Sequence, residues 1–278
     1  MLRLVYIALV LAVAANVAAA ETPRRIASMN LCADQLVWRL AERRHIVSLS
    51  HLAADDEVSL IADEVEGIHL NHGSAEEIVP LKPDLVVAGR YSARAAVSLL
   101  RKLGYRVVQL ELARSVADIR RQIVRLGEVL GSPDRARRII ARMDRRIEAT
   151  RVPSSAPRPT AINYQPNGFA AGPGSLIADV LRHAGFDLAR IGGSTGAYAH
   201  LPLEVLIDDP PDVLIVDQSY AQNPTLAHSL LAHPALDHLA NRIRRVAVPN
   251  RVWICGNPGT ARAIEQLAEV REQWAGEQ

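Results

Sequence analysis

Aromatic side chains are scarce in this 278-residue chain: three Trp, six Tyr and two Phe, or 4%. A core built without rings must be aliphatic, so a ring standing in a loop calls for a reason of its own. Charge of one sign is also missing, with 32 Lys and Arg against 30 Asp and Glu. No basic stretch carries interleaved aromatics, which argues against a nucleic-acid partner. Lysine occurs only as Lys82 and Lys102, so arginine supplies nearly all the positive charge. There is no G-x-G-x-x-G and no Walker A sequence, hence no pointer to nucleotides, and no H-E-x-x-H pair for zinc. What is there, 49% hydrophobic and 22% charged residues, suits a folded chain and excludes wholesale disorder.

The N-terminus reads as a targeting segment. Met1-Leu2-Arg3 is a short basic start, Leu4 to Val17 is almost wholly apolar, and Ala18-Ala19-Ala20 supplies a small-residue cleavage site. This pattern predicts a cleavable signal peptide over residues 1–20, too short in its apolar run to span a bilayer, and an exported protein that starts near Glu21. Only two cysteines follow, Cys32 and Cys255. In an oxidising compartment such a pair invites a disulfide, and a loop of more than 200 residues would gain roughly 4–5 kcal/mol from its closure.

From Arg25 onward, short apolar strands alternate with amphipathic helices, the signature of α/β structure with a mainly parallel sheet. The run Asp84 to Ala88 has the composition of a strand buried on both faces. Ser132 to Arg151 reads as one long helix of about 30 Å, capped by Ser132 and Pro133. Ala136, Ile139, Ile140, Met143 and Ile147 make its apolar stripe, and seven arginines occupy faces expected to stay wet. A proline-rich exit follows, and the pattern restarts. E-E-I-V-P-L-K-P-D-L-V-V (76–87) is echoed by L-E-V-L-I-D-D-P-P-D-V-L-I-V (203–216), with one extra residue expected in the second copy. The expected organisation is an N-terminal lobe (21–131), a backbone helix (132–152) and a C-terminal lobe (153–278), each lobe α/β, with Arg251 to Ile254 as a last strand.

Ligands of open α/β sheets bind beyond the carboxyl ends of the strands. Tyr91, Tyr164, Phe169, Tyr198 and Tyr220 fall in loops at that edge, and Trp253 lies just before Cys255. Together with Arg94, beside Tyr91, they are the candidate contacts for a large, partly apolar ligand. Asn163 to Gly168 and Gly192 to Gly196 read as polar loops suited to hydrogen bonding. Catalytic readings are thin. Gly192 to Gly196 fits G-x-S-x-G, making Ser194 the nucleophile of an alternative two-domain α/β hydrolase, yet the strand and helix of a nucleophile elbow do not flank it. His51 with Asp55 and Asp56, and the scattered His69, His72, His228, His233 and His238, lack metal-ligand spacing. No catalytic residue, metal site or cofactor is expected.

R-I-A-S-M-N-L (25–31), S-A-E-E-I-V-P-L-K-P-D-L-V-V-A-G (74–89) and the central helix together resemble the periplasmic substrate-binding proteins of ABC importers for ferric siderophores, haem and cobalamin. The resemblance spans essentially the whole exported chain. It implies two lobes on one rigid helix, a monomeric, non-enzymatic binding protein, and a permease of the inner membrane as partner. It also implies that Glu76 and Glu204, one per lobe, dock on permease arginines. A ferric siderophore or cobalamin is the implied ligand; haem is the alternative, with Tyr91, His51 or His200 as its axial ligand.

Overall fold

The computed structural model describes residues 22–153, 155–190, 196–217, 233–237 and 242–277. They form two sheets. In the first, β1 (Ile26–Ser28), β2 (Ile46–Ser50), β3 (Leu70–Asn71), β4 (Leu85–Gly89) and β5 (Val107–Leu110) run in the order β3-β2-β1-β4-β5, every pairing parallel. In the second, β6 (Thr160–Gln165), β7 (Phe169–Ala171), β9 (Tyr198–His200), β10 (Val213–Asp217) and β11 (Arg244–Val248) run in the order β11-β10-β6-β7-β9, and β8 (Asp187–Leu188) lies along the start of β6. The parallel set β8-β6-β10-β11 repeats β2-β1-β4-β5 of the first sheet.

The second sheet is less parallel than its sequence suggests, because β7 pairs antiparallel with both β6 and β9. The cause is local. Asn167 and Gly168 adopt left-handed backbone, φ 59° and 73°, and turn the chain straight back on itself. The stretch read as a polar loop is therefore the end of a strand and a tight turn.

Nine helices are described: α1 (Leu31–Leu40), α2 (Ala75–Ile78), α3 (Arg94–Lys102), α4 (Val116–Val129), α5 (Pro133–Ala149), α6 (Leu176–His183), α7 (Leu203–Asp208), α8 (Pro234–Asp237) and α9 (Thr260–Gly276). Several start where a polar cap dictates. Asn30 accepts from the N–H groups of Cys32 and Ala33, Ser115 from Asp118 and Ser175 from Ala178. Ser74 and Glu77 form a complete capping box on α2. Ser132 does not cap α5: its Oγ is buried without a partner, and Pro133 begins the helix.

One aliphatic core runs between the sheets, from Ile26 and Leu85 through Ile119, Ile123, Leu126, Met143 and Ile147 to Val180, Ile215 and Ile264. Smaller clusters close the outer face of each sheet. Helix α5 packs on α4 from the first half of the chain and on α9 from the second. Its arginines are not all wet. Arg135 Nη1 donates to the carbonyls of Leu40 and Ala41 at 3.4 and 2.8 Å, closing the end of α1, and Arg146 Nε donates to Glu265 of α9 at 2.6 Å. The helix is thus tied by one guanidinium to each half.

Two further expectations change. Arg251 to Ile254 is no strand; Asn250–Val252 is a single tight helical turn. The copied motif has no insertion either, since Glu76 precedes Leu85 and Glu204 precedes Val213 by the same nine residues. Among the described residues no helix is long and apolar enough to cross a membrane.

Candidate ligand-binding site

The parallel strands of the first sheet all deliver their carboxyl ends to one edge. β1 leads into Asn30, β4 into Gly89-Arg90-Tyr91-Ser92, and β5 into Glu111-Leu112. A pocket of about 130 Å3 opens there, and its far wall is Ile254 and Gly256 from the other end of the chain. A disulfide brings that segment in: Cys32, at the start of α1, is bonded to Cys255, with their Cα atoms 5.1 Å apart. Gly256 permits the approach, because a Cβ placed on it would stand 2.3 Å from Cβ of Ala113.

The pocket's rim is apolar and open to solvent. Tyr91 is 67% exposed, Leu112 53% and Ile254 42%, an arrangement that soluble proteins keep for contact surfaces. Its polar groups answer one another. Asn30 Nδ2 donates to Ser92 Oγ at 2.9 Å, and Arg90 Nη1 donates to both carboxylate oxygens of Glu111 at 2.7 and 2.8 Å. The Glu111 carboxylate holds the Arg90 guanidinium pKa above its ordinary value. Ala93, which ends this loop, sits at φ 48°, a left-handed conformation that costs a Cβ-bearing residue roughly 1–2 kcal/mol. Such strain clusters at ligand-contacting loops.

In the second half the corresponding edge carries Phe169 and Tyr198 on adjacent strands, both about half exposed. Phe169 and His200, opposite each other in the ladder, meet edge to face at 5.9 Å. The sequence candidates therefore separate. Tyr91, Phe169 and Tyr198 are exposed rings at strand ends, and Arg94 is exposed in the first turn of α3. Tyr164 and Trp253 are not cleft walls. Tyr164 is fully buried and donates its hydroxyl to the carbonyl of Leu201 at 3.2 Å; burial raises its phenol pKa, and the charge of Glu204 adds to the shift. Trp253 is buried where the last tight turn ends, its ring drawn into the core beside the disulfide. Tyr220, Ser194, His228 and His238 lie outside the described residues.

Leu112, Ile254 and Asn30 were missed by sequence reasoning. One signal was available: if Cys32 and Cys255 are joined, Ile254 must come to the carboxyl end of β1. Glu76 and Glu204 occupy equivalent places, exposed in the first turns of α2 and α7. At the same edge, beyond the outer strands β2 and β3, the rings of His51 and His72 stack 4.7 Å apart, and His72 Nδ1 meets Glu77 at 2.9 Å. Hydrogen bonds from the His72 side chain and backbone pull the Glu77 carboxyl down to about 2. Among the described residues no group of three or more His, Cys, Asp or Glu is placed to hold a metal ion.

With two α/β sheets and this edge in view, comparison with known proteins gives one family. The periplasmic binding protein family matches residues 26–244, and the chain belongs to it. That family consists of binding proteins. A curated relative, the cobalamin-binding protein of Halobacterium salinarum, is 28% identical over 214 residues, covering 76% of this chain and 58% of its own length. The chain thus spans less than two thirds of that relative. Among solved structures, the periplasmic heme-binding protein RhuT from Roseiflexus sp. RS-1 superposes with a TM-score of 0.75 at 21% identity, over 91% of this chain and 99% of that one. The periplasmic vitamin B12 binding protein BtuF of Vibrio cholerae gives 0.70 at 19%, over 92% and 99%.

Proposed function

We propose that this protein is the exported solute-binding component of an ABC import system, which captures a large, partly apolar metal chelate and delivers it to an inner-membrane permease. Cobalamin is the first ligand, a ferric siderophore the second. The observation that carries this reading is the open apolar rim of Tyr91, Leu112 and Ile254, drawn from both halves of the chain at the edge where open α/β sheets hold ligands. The cobalamin-binding relative supports the choice of corrinoid. Haem would need an axial ligand at the same edge, from Tyr91, His51 or His200.

No bond in the ligand is made or broken. The protein acts as a monomer, without cofactor or nucleic acid, in the periplasm, where residues 1–20 direct it. Glu76 and Glu204 present one carboxylate from each half to arginines of the permease, and the tied α5 keeps their separation nearly constant. Equilibrium titration of the purified mature protein with cobalamin, ferric siderophores and haemin, followed by tryptophan fluorescence, tests the reading. Saturable binding of cobalamin or a ferric siderophore is expected. A protein that binds none of the three, or that turns over an ester substrate through Ser194, contradicts it.

A further inference from the structure

A second pocket, of about 350 Å3, opens away from the strand edge, between α1, the turn at 60–64, α5 and the start of α9. Four arginines line it: Arg39, Arg142, Arg146 and Arg262. Two are answered by carboxylates. Arg39 Nη2 donates to Glu64 at 2.6 Å, and Arg146 Nε to Glu265 at 2.6 Å. Arg142 and Arg262 make no ion pair among the described residues, so two uncompensated guanidinium groups share one concavity. The start of α9 adds to the positive potential: Gly259, its N-cap, lines the pocket and offers no side-chain acceptor.

An independent observation points the same way. The Gly259 N–H donates to Asn257 Oδ1 at 2.6 Å, which fixes the Asn257 amide with its Nδ2 toward Gln35 Oε1, 3.1 Å away. The Leu60 N–H donates to that same Oε1 at 3.3 Å. Both contacts hold the Gln35 amide in one orientation. Its Nε2 is left buried with no acceptor, in a residue that lines the pocket and is itself almost wholly buried. Buried donors without acceptors are rare, and each needs an explanation.

We propose that this seam pocket binds a small multivalent oxyanion, a phosphate or a polycarboxylate, through Arg142 and Arg262, with Gln35 Nε2 as a further donor and the dipole of α9, whose first N–H groups are already bonded within the turn at 257–259, adding favourable potential. Guanidinium forks match paired oxygens of either group. Gln35 comes from the first half of the chain, Arg142 from the connecting helix and Arg262 from the second half, so a bound anion ties the halves across their seam. The site is independent of the ligand held at the strand edge.

The test is thermal unfolding of the mature protein, free of added ligand, with inorganic phosphate or citrate increased against sodium chloride at constant ionic strength. A saturable rise in Tm is expected, half-complete at about 1 mM or below. The double variant Arg142→Gln, Arg262→Gln requires about tenfold more anion or higher. Both side chains are exposed, so the variant keeps its fold in chloride. Arg138→Gln, exposed on α5 and outside the pocket, leaves the response unchanged. Saturation with phosphate alone identifies a phosphate site, with citrate alone a polycarboxylate site. No rise beyond the chloride control, or a rise that the double variant keeps in full, overturns the proposal.

Discussion

Asn257 Nδ2 donates to Gln35 Oε1 at 3.1 Å across 222 residues of sequence, one helical turn from the bond between Cys32 and Cys255. The C-terminal segment is thereby fastened to α1 covalently and by hydrogen bonding. Arg251 Nη1 adds a third tie, to the carbonyl of Asp56 at 2.8 Å.

Loss of the covalent tie is expected to be costly. The closed loop spans a separation of 223 residues, for which chain entropy allows a stabilisation of about 5 kcal/mol. Replacing Cys32 and Cys255 by Ser lowers stability toward that limit, read as a drop in the urea midpoint with little change in slope. A midpoint within 0.5 M of the wild type, in an m-value regime of about 1–3 kcal/mol/M, contradicts the structural weight given to the bond.

Asp34 predicts a pH dependence. It is fully buried in α1, where the backbone N–H of Ser50 donates to it at 3.2 Å and the Ser50 hydroxyl donates to its other oxygen. Burial raises its pKa from 3.8 to about 6, outweighing these hydrogen bonds. A carboxyl with a higher pKa folded than unfolded stabilises the fold below pH 4 and loses that contribution as pH rises through 6, roughly 3 kcal/mol in all. Urea unfolding between pH 4 and 7 should show wild-type stability falling relative to Asp34→Asn by that order. A pH-independent difference contradicts the assignment.

Ala93 predicts a gain. Its left-handed φ of 48° is free of steric cost in glycine, so Ala93→Gly should leave stability unchanged or raise it, by up to about 1 kcal/mol, although glycine is the more disordered residue unfolded. A loss above about 1 kcal/mol, measured by chemical denaturation, shows that the loop is not strained.

The paired glutamates predict a transport defect without a folding defect. Reversing both charges, Glu76→Lys with Glu204→Lys, should abolish permease binding and ligand uptake while leaving Tm and ligand affinity unchanged. Both side chains are exposed and neither makes an ion pair among the described residues. Uptake at the wild-type rate removes the docking role.

Much of this architecture is legible in the sequence, because its signals are local. The Ser74–Glu77 capping box and the stripe Val116, Ile119, Ile123 and Leu126 of α4 specify their elements through neighbours three and four residues apart. What stayed hidden depends on distant partners. Tyr164 looks like a loop aromatic until the Asn167–Gly168 turn makes its segment a paired strand and buries the ring. Arg135 and Arg146 look like solvated cations until the end of α1 and Glu265 are brought beside them. The site suffers most, since Leu112 and Ile254 belong to opposite halves of the chain and become neighbours only through the fold.

The central claim is that the rim of Tyr91, Leu112 and Ile254 holds the transported ligand. Its most direct test compares cobalamin binding by isothermal titration calorimetry in the wild-type protein and in Leu112→Asp, an exposed position where the substitution leaves the fold intact. The account predicts saturable one-to-one binding by the wild type and an affinity weakened by at least about tenfold in the variant, as expected when an apolar contact at the centre of a site is replaced by a charge. Equal affinity in the two proteins would place the ligand elsewhere and contradict the account.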